Sequence, residues 1–283
     1  MTSTLKSIAI IGRGKVGHSL AHLSELKGYQ AELIGRDIEK RQQAAKSADL
    51  ILITVNDEAI TSVAHQLENA IEKGVIIAHC SGILSSDALA CLKASGALIA
   101  SSHPLNTFPT LAASLATFSN TDHASYLYAE GDNEALKVLE TFYNDLGFKF
   151  KHINKHAKTE YHLACSIACN YLSVLMHTSL NIAESAGLER NDFWAALSPI
   201  LEKTLDNIGH DSLRSLSGPI TRADLDTVQK HQHALIKNNE NALSMYSELG
   251  KIAAQMAKQT NRLNTKDYER FIETLNKQIS DKN

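Results

Sequence analysis

Cysteine and proline are scarce in this 283-residue chain, at four each, and tryptophan occurs once. Cys80, Cys91, Cys165 and Cys169 form no CxxC pair and no even framework of spacings. A disulfide-stapled secreted scaffold is thereby excluded, and the four read as reduced thiols of a cytoplasmic protein. With only 14 glycines beside those prolines, and 43% apolar residues, collagen-like, low-complexity and globally disordered chains are excluded too. Charge of either sign is nearly balanced, 28 basic against 31 acidic residues for a net of −3. No basic footprint for nucleic acid follows from that balance. Long apolar runs are also missing: the longest clean ones, such as 50–55, are strand-sized, whereas a membrane-spanning helix needs about 20 residues. A soluble protein without a membrane partner is expected. A strand-like segment begins at Ser7, which leaves no room for a secretory signal. At roughly 150 residues per domain, the length that remains predicts about two domains.

The pattern changes near the midpoint. Between Ser7 and Ile153, short apolar runs alternate with amphipathic stretches. Strands are predicted at 7–11, 31–34, 50–55, 74–78 and 97–100, then at 125–129 and 148–152. Val16, Leu20, Leu23 and Leu26 show the helical spacing of the intervening segments. Apolar strands alternating with helices imply a parallel sheet covered on both faces. Beyond Ile153 strands vanish, and Lys158 to Gly187 reads as one long helix without proline. The expected architecture is an α/β Rossmann-type domain over 1–153, followed by an all-α domain over 154–283.

Gly12-Arg13-Gly14-Lys15-Val16-Gly17 fits GxGxxG, directly after a strand and opening a helix. The first glycine permits a tight turn, the second lets a pyrophosphate approach the backbone, and the third lets helix and strand pack closely. The helix N-terminus then faces the phosphates. NAD-specific sites carry an acidic residue about 20 positions on, at the end of the next strand. Here that end is Gly35-Arg36, and Glu32 falls too early. An arginine can pair with a 2′-phosphate, so NADP(H) is the expected cofactor; the plain alternative is a solvated turn residue.

Ligands of open α/β sheets bind outside the carboxyl ends of strands. The segments there are Val55-Asn56-Asp57, His79-Cys-Ser81-Gly82 and Ser102-His103-Pro-Leu-Asn-Thr-Phe108. Ser81 and the Gly82 amide could hold a substrate carboxylate, or Ser81 could cap the following helix. His103 is a candidate substrate-positioning residue. Lys158, His162, Ser166 and Asn170 recur every four residues on the long helix, next to Cys165 and Cys169. Such a polar stripe is costly to bury, so it faces either a polar cavity or solvent. His152, His156 and His162 lack an acidic partner at convincing spacing, and no metal is expected. Ser217-Gly-Pro-Ile-Thr-Arg222-Ala-Asp224 is a turn feeding a helix. Thr221 or Asp224 could cap that helix, and Arg222 could hold a substrate anion.

Taken in order, the glycine motif, Cys80-Ser-Gly82, Ser102-His-Pro-Leu105 with Phe108, Tyr161-His162 with Asn170-Tyr171, and Gly218-Pro-Ile-Thr-Arg222-Ala-Asp224 with Thr227 and His231 form a longer signature. It resembles the Rossmann-like oxidoreductases that carry a helical C-terminal domain of unknown function, the DUF 2520 family. That family is related to pyrroline-5-carboxylate reductase, β-hydroxyacid dehydrogenases and ketopantoate reductases. Some members resemble an alternative ketopantoate reductase serving pantothenate synthesis. The resemblance implies NADPH-dependent reduction of a small 2-oxo acid, foremost 2-dehydropantoate. The alternatives are an imine reductase resembling pyrroline-5-carboxylate reductase and a non-catalytic NADP(H)-binding sensor. Familiar ketopantoate reductases place an asparagine four residues after a lysine. Here His162 is four after Lys158, and Asn170 is twelve after. His162 or Lys158 is therefore the expected acid, with Asn170, Ser81 and Arg222 orienting the substrate. The apolar periodicity of the helical half, and the habit of related reductases, imply a homodimer through that half.

Overall fold

The computed structural model describes residues 5–107, 125–238 and 240–277, and Phe108 lies outside them. Two compact units partition the chain, 1–170 and 171–283. The first is built on a seven-stranded sheet with strands β1 (Ser7–Ile11), β2 (Gln30–Ile34), β3 (Leu50–Ile53), β4 (Ile76–His79), β5 (Leu98–Leu105), β6 (Ser125–Gly131) and β7 (Phe148–His152). Their order is β2-β1-β3-β4-β5-β6-β7. All seven expected strands form. The sheet is not wholly parallel, because β6 pairs antiparallel with β5, while β6 and β7 are parallel to each other. Apolar alternation records that a strand is buried and says nothing of its direction. Only the connection between β5 and β6 could have announced the reversal.

Period-two alternation sends successive side chains to opposite faces. Ile8, Ile10, Leu50, Leu52 and Ala78 pack one way, with Leu20 and Leu23 of helix α1 (Lys15–Leu26) and Leu139, Phe142 and Tyr143 of α4 (Asn133–Asp145). Ala9, Ile11, Ile51, Ile53 and Ile77 pack the other way. Against them lie α2 (Ile38–Ser47), α3 (Asp57–Leu67) and a 3-10 helix, Ser86–Ser95. Each fully buried Leu or Ile stabilises by roughly 1.5–3 kcal/mol. The carboxyl ends of the central strands are thus held on a rigid, two-sided core.

The boundary between the units falls at 170/171 instead of 153/154. Helix α5 (Lys158–Cys165) belongs with the sheet, since Lys158 reaches into it and Tyr161 bonds His103. The long helix is also not uniform: Ser166–Tyr171 is a π-helical segment, followed by α6 (Leu172–Ser185). Because π-helical winding differs from the α-helical period, the expected four-residue stripe does not continue on one face to Asn170. The helical run Lys155–Ser185 contains an 18-residue stretch apolar enough, by length and composition only, to cross a membrane. No uninterrupted apolar run marks it, because Asn170 and His177 fall among the apolar residues.

The second unit continues with α7 (Arg190–His210), α8 (Leu225–Asn238), α9 (Glu240–Gln259) and α10 (Thr265–Lys277). Its core gathers Ile220, Val228, Ala254, Ala257, Leu263, Phe271 and Leu275. By contrast, α6 and α7 leave Val174, Ile182, Trp194, Ile200 and Leu205 exposed.

Candidate active site

A cavity of about 520 Å³ lies at the carboxyl ends of the central strands. Its lining is Gly14, Lys15, Val16, Thr54, Val55, Asn56, Asp57, Cys80, Ser81, Gly82 and His162. The glycine turn supplies one wall, and each glycine has its own reason. Gly12 has φ +135°, and a Cβ there would sit 2.6 Å from Thr54 Oγ1. At Gly17 a Cβ would meet the Gly12 carbonyl oxygen at 1.9 Å, so helix and turn could not close. Gly14 is different: its Cβ would find nothing nearer than the Thr54 carbonyl oxygen at 4.0 Å. The room it leaves faces the cavity. Gly14 is also the N-cap of α1 and offers no side-chain bond to the first-turn amides. Those donors and the helix dipole suit a phosphate group.

At the end of β2, Arg13 lays its side chain over Gly35, where a Cβ would lie 3.2 Å from its Cδ. Arg36 is exposed beside it. Behind them the buried Arg41 donates from Nε to the Gly35 carbonyl (2.9 Å) and from its guanidinium to Gln66 Oε1 (2.7 Å). Burial and then the neighbouring Arg36 charge lower the pKa of Arg41. Three guanidinium groups at one turn make it receptive to an anion.

Asn56 is the N-cap of α3 but makes no side-chain capping bond. Thr54 donates to the Gly12 carbonyl at 3.0 Å and so ties β3 to the glycine turn. Asp57 and Cys80 line the site from loops expected to do so, whereas Thr54 lines it without having been singled out from sequence. The one available signal was Thr54, a polar residue at the end of an apolar strand. Burial pushes the Cys80 thiol up to about 11, so it is no thiolate at neutral pH.

Ser81 Oγ accepts the amides of Ile83 (3.2 Å) and Leu84 (3.0 Å). Its acceptor capacity serves the local turn, and only its O–H is left to donate. The helix that follows is capped by Ser85 instead. Gly82 lies against two imidazoles, with a Cβ placed 2.5 Å from His162 Cδ2 and 3.0 Å from His103 Nε2. The His103 and His162 rings are 6.2 Å apart. His103 and the fully buried His79 are both pushed down to about 4, chiefly by desolvation. Two backbone bonds fix the tautomer of His79: Nε2 donates to the Ser85 carbonyl (2.9 Å), and Nδ1 accepts the Ser81 amide (3.2 Å).

The expectation for Lys158 is corrected. Its ammonium does not open onto the cavity; the residue is 2% exposed. It donates to the Ser81 carbonyl at 2.8 Å and to Ser101 Oγ. Desolvation lowers its pKa to about 8, partly offset by the Glu130 carboxylate. Lys158 therefore anchors the loop beneath His162. Asn170 is exposed on the π-helical segment and does not line the cavity. Arg222 sits in the second unit, exposed on a 3-10 turn (Ile220–Arg222). Asp224 caps α8 there, accepting the Thr227 amide (3.1 Å) and hydroxyl (2.7 Å). His152, His156 and His162 form no cluster among the described residues, whereas His65, Glu68 and Cys91 bring ligand atoms within 4.8 Å of one another.

Residues 29–104 match a Rossmann-like domain, and residues 125–253 match the domain of unknown function DUF2520. No curated protein matches the sequence. Protein TM1727 of Thermotoga maritima is 24% identical, with a TM-score of 0.65 over 90% of this chain and 99% of that one. A candidate NADP oxidoreductase of Bacteroides fragilis reaches a TM-score of 0.70 at 16% identity, over 88% and 98% of the two chains. The Plasmodium falciparum pyrroline carboxylate reductase, solved with NADP bound, gives 0.56 at 11% identity, over 97% and 99%. The chain thus combines a Rossmann-like segment and a DUF2520 segment in a fold shared with NADP-binding reductases.

Proposed function

We propose that this chain is an NADPH-dependent reductase of a small 2-oxo acid, with 2-dehydropantoate the leading substrate. The observation that carries the proposal is the cavity itself, where the glycine turn, the uncapped start of α1 and His162 face one space. Gly12, Gly14 and Gly17 would shape the pyrophosphate seat, bordered by Lys15 and Val16. Arg36 and Arg13 would take the 2′-phosphate, and Val55 and Asn56 would flank the cofactor. When bound, the cofactor supplies a hydride to the substrate carbon. His162, which lines the cavity, would deliver the proton to the developing alkoxide. The O–H of Ser81 and the amide of Gly82 would orient the carboxylate.

A second reading, reduction of a C=N bond, is favoured by the likeness to pyrroline carboxylate reductase. NADPH oxidation across a panel of 2-oxo acids and cyclic imines separates the two. Cofactor binding with no turnover on any member would leave only a sensor.

The same reading includes a homodimer through the helical unit, located in the cytoplasm. Val174, Trp194, Ile200 and Leu205 are too many large apolar groups to leave in water along two helices. Light scattering should give twice the 30.9 kDa of one chain. A concentration-independent monomer would refute the dimer.

A further inference from the structure

Two sequence segments 58 residues apart meet where the mechanism above needs nothing further: His103 Nδ1 lies 2.8 Å from the Tyr161 hydroxyl. Their rings pack edge to face at 5.6 Å, and Tyr128 covers Tyr161 at 4.9 Å. The Cys165 sulfur lies beside the same hydroxyl as a competing acceptor. A phenol has one proton to give, and imidazole nitrogen is a far better acceptor than sulfur. The Tyr161 O–H is therefore assigned to His103 Nδ1, and Cys165 is left as a neighbour. An imidazole accepting at Nδ1 carries its proton on Nε2. That nitrogen packs against Gly82, whose missing side chain lets His103 and His162 both close on it at the cavity wall.

We propose that His103 is a second catalytic residue, an uncharged Nε2–H donor to the substrate carbonyl oxygen, and that Tyr161 is its positioning residue. This rests on the reductase reading given above. In the step, the hydride adds to the carbonyl carbon, the C=O π pair moves onto oxygen, and His162 gives that oxygen its proton. His103 keeps its own proton throughout and stabilises the charge as it develops. Its neutrality has a physical cause. Burial, then the Lys158 charge and His162, push its pKa down to about 4, against a smaller opposing effect of Asp57. The same arrangement favours an oxygen acceptor over an iminium. An N–H donor stabilises a growing alkoxide and has nothing to offer a nitrogen that is already protonated.

The test combines tautomer and turnover. Long-range nitrogen–proton NMR on the full-length, histidine-labelled protein should show His103 as the Nε2–H tautomer at pH 7. Its signals are assigned by their loss in His103→Gln. Tyr161→Phe should move it to a tautomer mixture; an Nδ1–H tautomer, or no response to Tyr161→Phe, overturns the proposal. With NADPH present, oxamate, a stable mimic of a 2-oxo acid, should shift the His103 Nε2 proton. In turnover of 2-oxo acids, His103→Ala should lower kcat by about 10²-fold, the scale for losing one oxyanion donor. His103→Gln, which restores an N–H near the same place, should recover part of that loss, with NADPH affinity unchanged in both. Oxamate binding that leaves His103 undisturbed would sink the inference and spare the reductase reading. A wild-type protein that neither turns over oxo acids nor binds oxamate would sink both.

Discussion

Acid should weaken this fold through His79, and the size of the effect follows from its burial. The side chain is fully buried at the end of β4. The Ser85 carbonyl needs a proton on Nε2 and the Ser81 amide needs a lone pair on Nδ1, so the neutral ring is the one that fits. Desolvation carries its pKa from the ordinary 6.5 down to about 4. Between those values the unfolded chain binds a proton that the folded chain refuses. Stability therefore falls as pH falls through that window. The full loss is about 3 kcal/mol, and about 2 kcal/mol of it is felt by pH 5. Urea unfolding of wild type and His79→Gln at pH 7.5 and 5.0 measures it. Glutamine keeps a donor for Ser85 but not the acceptor for Ser81, so the variant should start about 1–2 kcal/mol lower at pH 7.5. It should then lose about 2 kcal/mol less than wild type on going to pH 5.0. His103 is present in both proteins and cancels. Equal losses in the two proteins would refute the reasoning.

Arg36→Asp should weaken NADPH by about 1.5–3 kcal/mol, the range for charge-assisted bonds, and NADH much less; fluorescence titration with both cofactors would show equal losses if the arginine were only a surface residue. Gly17→Ala should abolish cofactor binding and lower the melting temperature, because its Cβ would collide with the Gly12 carbonyl at 1.9 Å. A variant with unchanged melting and binding would disprove that packing. Lys158→Met should cost about 1–3 kcal/mol in urea unfolding by leaving the Ser81 carbonyl unpaired. Unchanged stability with abolished turnover would instead return Lys158 to the role of proton donor.

The sheet was legible because each strand carries its own evidence, an apolar run of fitting length between turn residues. The glycine turn was legible for a related reason. Its three glycines answer mostly to contacts within one strand–turn–helix unit, with Thr54, just after β3, and the Ile34 carbonyl of β2 as outside partners. The direction of β6, the π-helical winding at Ser166–Tyr171 and the unit boundary were not legible. Each depends on how segments are joined, and periodicity within a segment does not record that.

Lys158 and His162 show where local reasoning about a site stops. Four residues apart on one helix, they share a face, and their spacing gives them equal claims to the cavity. What separates them comes from elsewhere in the chain. The Ser81 carbonyl, 77 residues away, and the Ser101 hydroxyl, 57 away, draw the long lysine stem inward, while Glu130 on β6 balances its charge. The shorter imidazole of His162 stays at the wall, because Gly82 has no side chain to fill the space in front of it. A lysine can bury its stem and still satisfy its head, provided that acceptors converge on it. Only the fold brings those acceptors together. The same holds for Tyr161 and His103, each an ordinary aromatic or loop histidine until β5 and α5 place them 2.8 Å apart. Sequence thus named candidate residues, and tertiary contacts decide which of them line the cavity and which hold the others in place.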